Sequence, residues 1–360
     1  MDDPKKLLSK LGYDSSLDDI LAENGWQDFV VARVITEHKE RYVVQSAGGI
    51  YDAEITGNLR FTAASREDFP AVGDWVTIQI YDENMAIIHK ILPRRSVIKR
   101  QAVGASGTVQ IIATNIDVAF LVQAVDRDFN MNRLERYLTI SYSSRVKPVI
   151  ILTKTDLAEP KYVDELRTLL EKRISEVPVY TVSNETGTGL EEVRTLLKEG
   201  KTYCLLGSSG VGKSSLLNNL AGKSRMRTDA VSSSNNKGRH VTTHRELILL
   251  DDGGVLIDNP GMREVGIADT ESGIEATFDQ IMSLSGKCKY KDCTHTVEHD
   301  CAVLKALETG ELDEAVYQNY LKMQKERAHF ETSAQEKKRH DKSLGKLIKN
   351  YYKQDFKGRR

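Results

Sequence analysis
With 360 residues and 40% hydrophobic content, the chain can bury more than one core, so two or three domains are expected. Lys+Arg 51 against Asp+Glu 52 leave a formal net charge of -1, which excludes nucleic-acid binding by bulk charge and leaves it to local basic clusters. The amino terminus lacks a long apolar core, and no stretch approaches the roughly 20 apolar residues of a membrane span, so a soluble, cytoplasmic protein with no membrane partner is expected.

Residues 1–28 read as a polar, partly helical lead-in with no assigned function, whose packing positions are Leu7, Leu8, Leu11, Leu17, Ile20 and Leu21. Over 29–100, the runs FVVARVITEH, RYVVQSA, IYDAEITG, DWVTIQIY and MAIIHKIL alternate with turn signals such as Gly48-Gly49 and Asp82-Glu83-Asn84. Short strands at that spacing predict an N-terminal β-barrel of the OB type, a fold used both for nucleic acid and as a plain interaction module. Arg94, Arg95, Lys99 and Arg100 form a basic strip at its exit, read either as an RNA contact or as a solvated linker.

Over 110–270 the pattern becomes α/β. Apolar runs at 116–124, 148–153, 177–182, 202–207, 246–250 and 254–258 are separated by helical patterns at 131–145, 161–173, 189–198 and 213–221, which predicts a buried, mostly parallel sheet. Gly207, Ser208, Ser209, Gly210, Val211, Gly212, Lys213 and Ser214 complete a GxxxxGK[ST] phosphate loop, with Ser215 next, between a strand and a helix. Its glycines let backbone N–H groups wrap phosphates at a helix N-terminus; Lys213 would bridge β- and γ-phosphate oxygens and Ser214 would ligate Mg²⁺. Asp258 and Gly261 fit a DxxG pattern at a strand end, the first for Mg²⁺ and the second for the γ-phosphate. In the long polar segment between the phosphate loop and this DxxG pattern, either Thr242 or Thr243 is the second hydroxyl candidate for Mg²⁺.

Thr153, Lys154, Thr155 and Asp156 have the form of the guanine-reading motif [NT]KxD. Asp156 can accept both N1–H and N2–H of guanine, a pairing adenine does not offer, while Ser183 and Asn184 after the next strand would supply a backbone N–H to the guanine O6. Thr153 stands where Asn is more usual, removing one amide contact and weakening nucleotide binding. This base-reading half precedes the phosphate half, the reverse of the ordinary order, which marks a circularly permuted P-loop GTPase domain. Met262 after DxxG has no group to orient a water, and His240, within Lys237-Gly238-Arg239-His240 of the intervening segment, is the candidate for that catalytic role, a surface histidine in a basic loop being the alternative.

Cys288, Cys293, His295 and Cys301 cluster in a polar segment at a spacing that suits one tetrahedral structural Zn²⁺, with His299 as a spare ligand, in a mostly helical domain over 271–335. The tail over 336–360 is basic and interleaved with aromatics; Lys337, Lys338, Arg339, Tyr351 and Tyr352 are its candidate RNA contacts, a solvated helix being the alternative.

With TKTD, GSSGVGKSS, GRHVTTH and DNPGMRE in this order and a Cys/His module behind them, the chain over 30–330 resembles the ribosome small-subunit-dependent GTPase A family, the RsgA/YjeQ/YloQ group. Thr153, Val241 within the threonine run and the long lead-in depart from that pattern. The resemblance implies a GTPase, monomeric, that binds GTP/GDP, hydrolyses slowly alone and faster on the small (30S) ribosomal subunit and its rRNA, and acts late in subunit assembly. From the residues alone, a non-hydrolysing GTP sensor or RNA-binding scaffold and an ATPase also stay open. The permutation makes DNPG the last GTPase element, so Gly261 leads almost directly into the Cys/His module.

Overall fold
The alternating runs of the first hundred residues close on themselves in the computed structural model of the chain, which describes residues 4–38, 40–101, 109–126, 129–174, 176–222, 245–251, 254–258 and 270–332. Strands β1 (Val30–His38), β2 (Arg41–Ser46), β3 (Gly49–Ile55), β4 (Trp75–Asp82) and β5 (Met85–Ile91) pair in the circuit β1-β2-β3-β5-β4-β1. The β3–β5 pairing is parallel and the others are antiparallel. The short helix α3 (Gly57–Thr62) sits between β3 and β4, its first turn capped by the Thr56 hydroxyl. Inward positions such as Val34, Val44, Ala53, Val76, Ile78 and Ile88 fill the barrel. Closure leaves no free sheet edge among these strands, and the expected OB-type barrel is what the sequence forms.

The lead-in belongs to this body. Helices α1 (Pro4–Lys10) and α2 (Ser16–Glu23) bring Leu11, Leu17 and Leu21 against Val72, Trp75, Leu92, Ile98 and Ile116 in one buried cluster. Arg33 of β1 organises the junction: fully buried, it donates to the carbonyls of Leu11, of Gly73 (3.2 Å) and of Asn115 (3.3 Å), and its guanidinium lies 5.4 Å from the Trp75 ring centre. Burial lowers its pKa to about 9, which leaves it charged at neutral pH.

Strands β6 (Val97–Gln101) and β7 (Val109–Thr114) lead to a sheet of β8 (Val118–Ala124), β9 (Lys147–Thr153), β10 (Val179–Thr181), β11 (Lys201–Leu206), β12 (Glu246–Leu249) and β13 (Gly254–Asp258). Its spatial order is β10-β9-β8-β11-β13-β12, parallel except for β12, which also pairs with β1 at Thr36↔Glu246. Successive residues serve opposite faces. Ala119, Leu121, Ile150 and Leu152 pack under α4 (Met131–Ser143) and α5 (Pro160–Arg173), whereas Phe120, Val122, Val149 and Ile151 pack under α6 (Leu190–Leu196) and α7 (Lys213–Ala221). Coverage on both faces is why these strands read as continuous apolar runs.

Described residues within 1–99 and 111–265 form one compact unit, and those within 100–110 and 266–360 form another. In the second, α8 (Glu271–Thr277), α9 (Asp279–Ser285), α10 (Ala302–Glu308) and α11 (314–332) enclose a small core around Phe278, Ile281, Val303, Tyr320 and Met323. Among the described residues no helix is long and apolar enough to cross a membrane.

Candidate active site and metal centre
Parallel strands deliver their following loops to one edge of a sheet, the usual place for ligands in such folds. Here β9 delivers Thr153 to Asp156, β10 delivers Ser183 and Asn184, β11 delivers the loop from Gly207, and β13 ends on Asp258. The inverted sequence order therefore disappears in space. The Thr153 hydroxyl donates to the Val211 carbonyl (2.5 Å), the Asn184 amide donates to the Gly212 carbonyl (3.2 Å), and Ser183 Oγ donates to Asp156 Oδ1 (2.5 Å). Base-reading and phosphate-binding segments are thus hydrogen-bonded to one another, and Thr153 supplies a tie to the phosphate loop where the sequence showed only the loss of an asparagine amide.

Two glycines of the loop have no substitute. A Cβ on Gly207 would stand 2.4 Å from the Val122 carbonyl oxygen, and Gly212 caps α7 with φ +90. Gly210, Ser208, Ser209, Ser214 and Ser215 fall in the loop or the first turn of α7, where free N–H groups and the helix dipole favour anions. Lys213 donates to the carbonyls of Gly207 (2.7 Å) and Ser208, and the Asp258 carboxylate, 6% exposed, is close enough to interact with it. A serine hydroxyl and a carboxylate beside a phosphate loop form a hard oxygen donor set suited to Mg²⁺.

Burial lowers the Lys213 ammonium to about 8, against the opposing pull of Asp258. Phosphates need the charged form, so the free protein loses this cation as pH rises through that value, and binding above it takes up a proton. GTP affinity is expected to hold from about pH 6.5 to 7.5 and to fall towards pH 9 by up to roughly tenfold per unit. Lys213→Arg, whose charge persists, should flatten the titration; a flat profile in the unsubstituted chain would refute the assignment.

Three participants escaped the sequence. Lys154, in a left-handed conformation (φ 60), pairs with Asp126 at 2.8 Å after β8; Asn219 of α7 donates to the Asn184 carbonyl (3.1 Å); and the Gln123 carbonyl lies 3.2 Å from the Thr153 hydroxyl. Only Asp126 left a trace, as one more carboxylate at a strand end. His240, Thr242, Thr243, Gly261 and Met262 lie outside the described residues, as do Val241, Lys337, Lys338, Arg339, Tyr351 and Tyr352.

The basic strip needs one correction. Arg94 forms a fork with both oxygens of the buried Asp74 (2.8 and 2.7 Å) and donates to the carbonyls of Glu67 and Phe69 (2.7 and 2.8 Å). Its side chain is 16% exposed and its guanidinium is committed to the barrel, so it is a structural residue and not an RNA contact. Lys99 pairs with Glu67 (2.8 Å), and Arg100 donates to Gln110. Arg95 remains more open, 3.7 Å from Asp14.

In the second unit the ligand atoms of Cys288, Cys293, His295 and Cys301 all lie within 4.8 Å of one another. Zn–S of about 2.3 Å and Zn–N of about 2.05 Å in a tetrahedron give edges of roughly 3.8 Å between sulfurs and 3.5 Å between sulfur and nitrogen. The Cys288–Cys301 separation is 3.8 Å, and His295 Nδ1 lies 3.6 and 3.5 Å from those two sulfurs. His295 Nε2 is 3.0 Å from Ser285 Oγ, a contact that orients the ring from outside, and Tyr317 donates to the His295 backbone carbonyl (2.6 Å), holding the main chain at that position. The Leu304 N–H points at Cys301 Sγ (3.5 Å) from the first turn of α10. The four residues fit one zinc ion; His299 is exposed and outside the cluster.

An OB-type barrel, a P-loop sheet whose guanine-reading loop comes first in the chain, and a Cys₃His module together define a circularly permuted GTPase. The RsgA GTPase family matches residues 91–268. The ABC transporter family matches residues 190–347, a stretch that contains the phosphate loop but omits Asp156. "Small ribosomal subunit biogenesis GTPase RsgA" of Opitutus terrae is 40% identical over 98% of this chain and 97% of its own. RsgA 2 of Lactiplantibacillus plantarum is 43% identical over 86% of each. Among solved structures, YjeQ from Thermotoga maritima superposes with a TM-score of 0.61 at 27% identity, covering 82% of this chain and 96% of that one. YloQ, described as a circularly permuted GTPase, gives 0.60 at 26%, covering 83% and 95%. The chain belongs to the RsgA family and is a GTP hydrolase.

Proposed function
We propose that this GTPase acts on the small (30S) ribosomal subunit during its late assembly, with hydrolysis stimulated by the subunit and coupled to release. The observation that carries the reading is the hydrogen-bonded union of Asp156, Ser183, Asn184 and the phosphate loop. The names of the relatives, small ribosomal subunit biogenesis GTPases, support the choice of partner.

In this reading Asp156 selects guanine, the loop N–H groups from Gly207 to Ser215 hold the phosphates, and the Lys213 ammonium turns from its carbonyl partners to the β- and γ-oxygens. Ser214, Asp258 and one of Thr242 or Thr243 would hold Mg²⁺, which when bound neutralises charge on those oxygens. His240 orients the attacking water and the Gly261 N–H senses the γ-phosphate. Zinc on Cys288, Cys293, His295 and Cys301 is structural. Arg95, Lys99 and Arg100, with Lys337, Lys338, Arg339, Tyr351 and Tyr352 of the tail, contact rRNA. The protein works as a cytoplasmic monomer.

The short covalent path from Gly261 to the Cys/His module couples nucleotide state to subunit affinity. Binding of purified small subunits is expected to be at least about tenfold tighter with a non-hydrolysable GTP analogue than with GDP. Equal affinities in the two states would remove the coupling.

A further inference from the structure
The other end of the same sheet holds a cavity of about 420 Å³, at the amino ends of β8, β9 and β11. Strands of this length put it roughly 20 Å from the nucleotide loops. Five cations line it, Arg95, Arg145, Lys147, Lys198 and Lys201, against the single carboxylate of Asp117, and Val118, Leu196 and Tyr203 add apolar wall. Two of the cations are engaged: Lys201 lies 3.4 Å from Asp117, and Arg95 lies 3.7 Å from Asp14. Among the described residues the side chains of Arg145, Lys147 and Lys198 have no hydrogen-bond or ion-pair partner.

Arg145 supplies a second, independent observation. Helix α4 ends in a Schellman turn, Val146 N–H to the Ser141 carbonyl and Arg145 N–H to the Tyr142 carbonyl (both 2.9 Å), with Arg145 at φ 58. That position ordinarily takes glycine, because a Cβ is strained there. An exposed arginine kept in a strained turn, aimed with two free lysines at one concavity, is the pattern of a ligand site more than of a solvated surface. The volume lies within the range of about 300–1,000 Å³ typical of small-ligand pockets.

We propose that this cavity is an anion site, separate from the nucleotide loop, that takes a phosphate ester. A phosphate of an RNA strand and a free sugar phosphate offer the same chemistry, and the test separates them. The full-length chain is compared with Arg145→Gly/Lys147→Gln, which relieves the backbone strain and removes two charges at exposed positions. Lys161→Gln/Lys172→Gln on α5 is the charge-matched control. Each protein carries one equivalent of GDP with Mg²⁺, so that the loop is filled, and equal GDP affinity certifies the fold.

One arm titrates a fluorescein-labelled single-stranded RNA of about 12 nucleotides; the other titrates ribose 5-phosphate by calorimetry. If RNA is the source, the cavity variant loses about fivefold or more in RNA affinity, and its log K against log salt slope falls by about 1, while the control is unchanged. If a free ester is the source, ribose 5-phosphate binds the unsubstituted chain and the variant loses that binding. Losses in both arms also support the site. The proposal is overturned if the cavity variant matches the unsubstituted chain with both probes, or if the α5 control reproduces the loss.

Discussion

Replacing Asp156 by Asn is expected to weaken GTP binding by roughly two orders of magnitude while leaving the fold intact. The carboxylate is held by Ser183 Oγ on Oδ1, at the tip of the loop that β9 delivers. Each charge-assisted hydrogen bond lost to guanine is worth about 1.5–3 kcal/mol, and the asparagine amide would also present an N–H group to the guanine N–H groups. The same change should partly restore binding to xanthosine triphosphate, whose 2-carbonyl accepts from the new amide. Calorimetric titration with GTP, ATP and xanthosine triphosphate checks this. Undiminished GTP affinity, or equal binding of ATP by the unsubstituted chain, would mean that Asp156 does not read the base.

The second large effect concerns the Cys₃His cluster. One zinc per chain is expected on metal analysis of the purified protein, and its removal by a strong chelator should unfold the helices around 271–332 while the barrel and sheet remain folded. The core around Phe278, Ile281 and Met323 is small. Structural zinc contributes apparent binding free energies of about 10–16 kcal/mol near neutral pH, all of it linked to folding. Cys301→Ser removes a ligand that also caps α10, and should lower zinc occupancy and the thermal midpoint of the second unit together. A metal-free protein with unchanged helicity and melting would count against the site.

Much of this was legible in the sequence because the relevant physics is local or periodic. The runs at 213–221 and 254–258 coincide with α7 and β13, since strands covered on both faces read as unbroken apolar segments and a phosphate loop fixes where its helix starts. The spacing of Cys288, Cys293, His295 and Cys301 carried the metal reading in the same way. The features that stayed hidden depend on partners far apart in the chain. Arg94 reads in the sequence as an RNA contact or a solvated linker cation, but Asp74, twenty positions away, accepts from its Nε and one terminal nitrogen, and the carbonyls of Glu67 and Phe69 take the rest of its fork. Arg33 was one more residue of an alternating strand, and its acceptors are backbone carbonyls, which no side-chain pattern reveals. The cavity beside Arg145 is assembled from the ends of three separate strands, so only the sheet order brings its cations together.

The tie between Thr153 and Val211 bears on the permutation itself. Moving the base-reading half ahead of the phosphate half leaves the pocket intact because the contacts between them, Thr153 to Val211 and Asn184 to Gly212, are made among loops gathered at one edge of the sheet and do not depend on chain order. Permutation does change the stretch of chain after Asp258, bringing the Cys/His module next in sequence where a further GTPase strand would ordinarily come.

Single-turnover GTP hydrolysis, timed with and without purified small ribosomal subunits, tests the central claim most directly. The account predicts a slow intrinsic rate that rises at least about tenfold with small subunits and not with large ones, an acceleration of more than about 1.4 kcal/mol in the barrier. A rate unchanged by small subunits would contradict it.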